Sequence, residues 1–349
     1  MILIRADANE IIGTGHVMRC LSIAHAFANA GHEVRFVTAD HIGDKLISSA
    51  GFSSVCLDSE WTEMDGEQIN CLLSTYHPVL FLVDSYFVTE KYFKSLSAVC
   101  RVAYIDDLNV ITWDVDYLID YNIFGTVLDY SNYRHSHTKL LLGPTYAPLR
   151  PEFQSIPPHP IKSVTDIMVS AGGADPEGVT EIMMNELCSR WASIRFHFIV
   201  GALNPRLDNI KALAPNNAIL HINKKNMSGL MQICDLAISA AGSTLYELCA
   251  CGTPTVTYTL ADNQLLAAEE FQKQGIMIFA GDFRGNDRFL DDVKDIVKDL
   301  IENKEKRWEL SIRMQSLVDG RGAERIVGSL LNFMHEEAME AIRDSHSGY

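Results

Sequence analysis

Basic charge is what this sequence has least of. Across 349 residues, 29 Lys and Arg stand against 45 Asp and Glu, a formal net charge of −16. That balance leaves no broad positive footprint, so nucleic acid and anionic membrane surfaces are excluded as expected partners. No unbroken apolar stretch approaches the roughly 20 residues a membrane-spanning helix needs. The opening MILIRAD is interrupted by Arg5 and Asp7, which suits a first strand and not a secretory signal. The eight cysteines, at 20, 56, 71, 100, 188, 234, 249 and 251, contain no CxxC pair, and Cys249-Ala250-Cys251 lacks the partner cluster of a zinc site. Reduced cysteines in the core of a cytoplasmic protein are the expectation. Also missing are the P-loop GxxxxGK[ST] and the GxSxG elbow of acyl-enzyme hydrolases. GTGHVM at 13–18 falls short of the dinucleotide fingerprint GxGxxG, because Met18 stands at the third glycine. With only Asp40 near the end of the second strand, an NAD-dependent oxidoreductase is disfavoured.

What is present is the composition of a globular chain, 47% apolar and 21% charged, with length enough for two cores. Short β-rich runs alternate with helix-length amphipathic ones. Candidate strands in the first half are 2–6, 33–38, 79–84, 101–106 and 117–120, with helices over 16–31, 66–76 and 89–100. Four prolines within residues 151–160 deny ladder donors and mark a linker. The alternation then restarts with strands at 166–171, 194–200, 218–222, 235–240 and 254–259 and helices over 177–190, 244–251 and 262–274. Charged helical sequence closes the chain, including 291–318. Apolar strands covered by helices on both faces predict parallel sheets with right-handed crossovers. The expected fold is therefore α/β: two Rossmann-like doubly wound domains, 1–155 and 156–349, with a ligand in the interdomain cleft at the strand carboxyl edges.

Three glycine-bearing joints follow predicted strands: EIIGTGH (10–16), SAGGADPEG (170–178) and SAAGSTLYE (239–247). At each, small residues bring backbone N–H groups close to a ligand, and the next helix adds its unpaired amides and positive end. Gly13 and Gly15 serve the first joint, Gly172 and Gly173 the second, Gly242 the third. Ser243 and Thr244 present hydroxyls and amides for phosphate oxygens, and Glu247, one turn on, suits the hydroxyls of a ribose. The everyday alternative is a capping box, with a Ser N-cap and an acidic residue following. Residues 258–264 end a strand at the same edge, so Asn263 and Gln264 either reach a sugar or cap a helix.

His16 sits in the first turn of a helix, where the positive helix end favours a neutral imidazole, able to take a proton from water. It either does that chemistry or closes the helix start. Arg19, three residues on, touches a phosphate or pairs with a carboxylate. Asp106 and Asp107 end a strand, where one should face the cleft and the other cap a turn. Tyr86 lies where a strand end meets the cleft, as substrate contact or packing. His135 and His137 sit in an exposed loop, and no metal site is expected there.

Together these stretches resemble a known family. IRADANEIIGTGHVMRCLSIA is similar to the N-terminal signature of the PseG-type UDP-sugar hydrolases, which cleave UDP-2,4-diacetamido-2,4,6-trideoxy-β-L-altropyranose on the route to pseudaminic acid. The likeness continues through VDSY (83–86), IDDL (105–108), YAPLRPEF (146–153), SAGGADPEG, SAAGSTLYEL and ADNQ (261–264), covering roughly residues 1–275 in order. The resemblance implies the GT-B architecture of MurG-type glycosyltransferases, with UDP held mainly by the second domain. It implies His16 as the base activating water, Tyr86 and Asn263 near the sugar, and Ser243, Thr244 and Glu247 on diphosphate and ribose. Attack at the anomeric carbon, C–O cleavage with inversion, and no required metal or cofactor follow from it. Asn9 stands where a serine is expected and Ala241 where glycine is frequent. Two alternatives carry weight: a GT-B transferase with a non-water acceptor, and a non-catalytic sugar-nucleotide sensor. A lipid acceptor is disfavoured because no apolar and basic patch is visible in the first half. A sensor has no use for His16.

Overall fold

Strands β1 (Ile2–Ala6), β2 (Val34–Thr38), β3 (Ser53–Cys56), β4 (Leu80–Asp84), β5 (Arg101–Ile105), β6 (Tyr117–Asp120) and β7 (Lys139–Leu142) form one sheet of order β3-β2-β1-β4-β5-β6-β7. All its pairings are parallel; Ile2 of β1, for example, aligns with Val34 on one side and Leu80 on the other. A second parallel sheet takes β8 (Asp166–Ser170), β9 (Arg195–Val200), β10 (Ala218–Ile222), β11 (Leu236–Ala240), β12 (Thr255–Thr259) and β13 (Ile278–Asp282) in the order β10-β9-β8-β11-β12-β13. The computed structural model describes residues 1–9, 12–63, 66–172, 175, 177–201 and 204–347, except for the side chains of 66, 67, 337, 338, 340–342 and 344–347. β1, β4, β8, β11 and β12 are buried along their whole length, as parallel strands covered on both faces must be.

Each sheet is doubly wound. The chain leaves β1 toward β2 and β3, then returns to the other side of β1 to lay down β4 onward. The second sheet does the same about β8 and β11. Such a reversal leaves a crevice outside the strand carboxyl ends, between β1 and β4 in one unit and between β8 and β11 in the other.

The two compact units are Met1–Arg150 with Arg321–Tyr349, and Pro151–Gly320. The expected domains, 1–155 and 156–349, differ in two respects. The boundary falls five residues earlier, at the first proline of the linker. The last helix, Gly322–Ser347, joins the first unit: Phe333 stacks on Tyr117 with ring centroids 5.9 Å apart, and Arg325 donates to the Thr145 carbonyl at 3.0 Å. Helical periodicity identifies an apolar stripe but not the core that will take it. The stretch 291–318 is two helices, Phe289–Glu302 and Lys304–Leu317, because Asn303 leaves the helical conformation and caps the second by accepting from Lys306 N at 3.0 Å. Among the described residues, no helix is long and apolar enough to cross a membrane.

Candidate functional site

After β1 the chain makes a tight turn in which Asn9 and Gly13 pair antiparallel. Asn9 Oδ1 accepts from Ile12 N at 2.9 Å, and Gly13 adopts φ +69°, a conformation that side chains other than glycine's resist. Asn9, at the position where serine was expected, therefore has a turn-closing role of its own. The turn delivers helix Gly15–Asn29, whose first turn carries neither an acidic residue nor a side-chain cap from Thr14. Neither Thr14 nor the first-turn residues supply a side-chain acceptor for its first amides. Gly13 and Gly15 are exposed, and a Cβ at either would meet nothing within 4 Å.

His16, in that turn, is buried and points at β4. Its Nδ1 lies 2.6 Å from Oδ1 of Asp84, the last residue of the strand. Arg19 Nε donates to Asp84 Oδ2 at 2.6 Å, and its Nη1 reaches Tyr121 OH at 2.8 Å and Asp107 Oδ2 at 3.2 Å. Burial alone would raise the Asp84 carboxyl, but the charge of Arg19 and then the His16 ring outweigh it and hold it well below the usual carboxylate range. An ionised carboxylate can only accept, so the His16 Nδ1–H donates to it, and Nε2 is the ring nitrogen that Asp84 does not engage. Tyr86 closes the group: its ring meets the His16 ring edge-on at 5.0 Å, and its hydroxyl donates to Asp107 Oδ2 at 3.1 Å. Burial, then the Asp107 charge, pushes the Tyr86 phenol far above its ordinary value.

A recess opens here, lined by Asp7, Ile12, His16, Trp61, Asp84, Ser85, Tyr86 and Phe87. Asp7 is fixed by Arg5 Nε at 2.9 Å and Ala39 N at 2.7 Å, while Trp61 and Phe87 stand edge to face, 4.9 Å apart. Of the residues singled out from sequence, His16, Arg19 and Tyr86 are brought together. Arg19 takes the carboxylate partner and not an outward-facing role. Asp106 caps the following turn, accepting from Leu108 N and Asn109 N at 2.9 and 3.1 Å, while Asp107 faces Arg19 and Tyr86. His135 and His137 are exposed and apart from this group. Asp84, Asp7, Trp61 and Phe87 were not singled out. The signal for Asp84 was a lone carboxylate ending the apolar run VLFLVD.

In the second unit the turns after β8 and β11 lie at the strand-order reversal. Gly172 is exposed with φ +85°, and Gly173 lies outside the described residues. Asp175 is spent on the helix that follows, accepting from Val179 N and Thr180 N at 2.8 and 3.0 Å. Gly242 and Ser243 are exposed at the start of helix Thr244–Cys251, and Ser243 makes no capping hydrogen bond. The capping box is therefore not formed by Ser243. Thr244 and Glu247 are half-buried in the first turn. Beyond β12, Asn263 is exposed, whereas Gln264 Oε1 turns back to accept from Leu260 N at 2.8 Å. Gln264 thus closes the turn before helix Leu265–Lys273 and does not cap that helix with its side chain, the alternative left open for it.

No protein-family model matches the chain. An uncharacterised protein of Methanocaldococcus jannaschii is 26% identical over 279 residues, 76% of this chain and 56% of that protein. The pseudaminic acid cytidylyltransferase and UDP-2,4-diacetamido-2,4,6-trideoxy-β-L-altropyranose hydrolase of Helicobacter pylori is 26% identical over 287 residues, 79% of this chain and 47% of that protein. The match thus spans about half the length of these two relatives. The UDP-2,4-diacetamido-2,4,6-trideoxy-β-L-altropyranose hydrolase of Campylobacter jejuni is 25% identical over 252 residues, 70% of this chain and 86% of that protein. Among solved structures, MurG of Acinetobacter baumannii superposes with a TM-score of 0.67 at 13% identity, covering 95% of this chain and 99% of that one. The fold is that of the GT-B glycosyltransferases, with two parallel-sheet α/β units.

Proposed function

We propose that the chain is a UDP-sugar hydrolase, acting in the cytoplasm without metal or cofactor in pseudaminic acid biosynthesis. Its substrate is the altrose-configured UDP-sugar named for two of its relatives. The observation that carries this reading is the Asp84–His16 pair at the sheet reversal, with a free Nε2 beside an open recess.

His16 Nε2 takes a proton from a water as its oxygen attacks the anomeric carbon. The C–O bond to UDP breaks with inversion, and the free sugar leaves. Asp84 fixes the tautomer and ring direction and stabilises the imidazolium that forms. UDP is a good leaving group, so open helix N-termini and turn amides can neutralise the departing diphosphate without a strong general acid. Gly15 and Gly242 have space around them, and neither packing nor positive φ demands glycine there. A ligand drawn close to the backbone does. Gly13, Gly15, Tyr86 and Asn263 are assigned to the sugar side, and Gly172, Gly173, Gly242, Ser243, Thr244 and Glu247 to the nucleotide. Arg19 and Gln264, whose side chains are committed to protein groups, serve as positioning residues. The apolar faces of Trp61 and Phe87 suit a deoxy sugar carrying acetamido methyls. One base contributes on the order of 10²–10⁴-fold, and a positioned water supplies much of the rest.

A transferase reading has one observation in its favour. Leu108, Val110 and Ile111 are 49%, 77% and 48% exposed in the turn after β5, an apolar patch the sequence did not disclose. The surrounding DDLNVITWDVD contains no Lys or Arg, which does not suit an anionic membrane. A panel of UDP-sugars incubated with the protein in EDTA, with no acceptor, separates the two. The hydrolase releases UDP from the altrose-configured nucleotide; the transferase releases none until an alcohol or lipid is added.

A further inference from the structure

At the carboxyl ends of β2 and β3, three side chains of metal-ligating type converge, none of them among the residues that line the recess. His41 Nε2 is 3.6 Å from Asp58 Oδ1, and Cys56 Sγ is 3.4 Å from the same oxygen. One donor atom from each of the three lies within 4.8 Å of the others. In a tetrahedral site with bonds of about 2.0–2.3 Å, neighbouring ligand atoms stand roughly 3.3–3.7 Å apart. Two of the three separations already have that length, and a small side-chain rotation brings the third to it.

A second arrangement points the same way. The other ring nitrogen of His41, Nδ1, is 2.6 Å from Asp44 Oδ2, and Asp44 Oδ1 accepts from Ser54 Oγ at 2.6 Å. A carboxylate holding the far nitrogen of a histidine is the usual support of a metal-bound imidazole, since it orients the ring with the near nitrogen toward the ion. A histidine–carboxylate pair or a thiol bonded to a carboxylate explains either contact singly. Neither explains an imidazole, a sulfur and a carboxylate meeting at one point with the imidazole already oriented.

We infer that His41, Cys56 and Asp58 bind one borderline-soft divalent cation of the zinc class, with the fourth position left to water. Mixed N, S and O donors favour such a cation over magnesium or calcium. The bound ion ties the loop after β2 to the four-residue edge strand β3 and takes no part in the reaction proposed above.

The test uses the full chain, stripped with chelator and titrated with Co(II). The expected result is one cobalt per chain, with tetrahedral d–d bands and a thiolate-to-cobalt charge-transfer band, both removed by stoichiometric Zn(II). Cys56→Ser abolishes the charge-transfer band, whereas Cys71→Ser, at an exposed cysteine outside the cluster, keeps it. Asp44→Asn weakens cobalt binding about 10–100-fold. His41→Ala gives a second route should Cys56→Ser fail to fold, and it too removes binding. Absence of the charge-transfer band at saturating cobalt, or its persistence in a folded Cys56→Ser variant, overturns the inference.

Discussion

Asp84 accepts from His16 and Arg19 at once, and this shared carboxylate decides what the histidine can do. Because Arg19 keeps Asp84 ionised, the carboxylate holds the His16 Nδ1 and fixes which ring nitrogen, Nε2, is turned away from it. His16→Ala is expected to lower kcat by about 10²–10⁴-fold while leaving UDP affinity nearly unchanged, read by steady-state kinetics and calorimetry. Loss of UDP binding in that variant would make the histidine a ligand contact. Asp84→Asn keeps the shape but removes the acceptor that fixes the tautomer, so kcat falls by about 10²-fold or more with little change in KM. It also strips Arg19 of its main counter-charge, at a cost to stability of about 3 kcal/mol by denaturant unfolding. The histidine was legible because a titratable ring behind a glycine turn is an unusual helix start. Asp84 was not, since a single carboxylate at a strand end looks the same whether it anchors a base or caps a turn. Trp61 and Phe87 were hidden for a related reason, as an aromatic residue in a loop carries no periodicity.

Ser243 heads its helix without capping it, so Ser243→Ala should change stability by less than about 0.5 kcal/mol, where loss of a true cap costs about 1 kcal/mol. The same variant should bind UDP more weakly, by titration. At the end of β6, Asp120 is fully buried and bonded to Asn122 and to Tyr130 OH at 2.9 Å. Burial raises its carboxyl from 3.8 to about 6. The native chain then holds a proton that the unfolded chain has released across that window. Asp120 therefore contributes a fall in stability as pH rises from about 4 to about 6, and nothing further above it. Asp120→Asn should flatten the stability curve across that interval, followed by unfolding midpoints at several pH values. The strands buried along their whole length read as continuous apolar runs, whereas β3, with the sequence SSVC at a sheet edge and partly exposed, has none; β10, also at an edge, was legible from AILHI.

At the scale of the whole molecule, sequence alternation was enough to predict two doubly wound sheets, because strand-helix-strand order and covered parallel strands leave few other topologies. It could not show that the final helix returns to the first unit, a matter of which core offers a place, here beside Tyr117. The same limit applies to reaction type, since one architecture serves transfer to water and transfer to an alcohol. The distinction rests on whether water is the acceptor that His16 deprotonates. Turnover of the altrose-configured UDP-sugar in ¹⁸O-labelled water, with EDTA and no added acceptor, measures this directly. Attack of water at the anomeric carbon gives stoichiometric UDP free of label and one ¹⁸O at the anomeric position of the released sugar. Label in the UDP phosphate, or no UDP release until an acceptor is supplied, would contradict it.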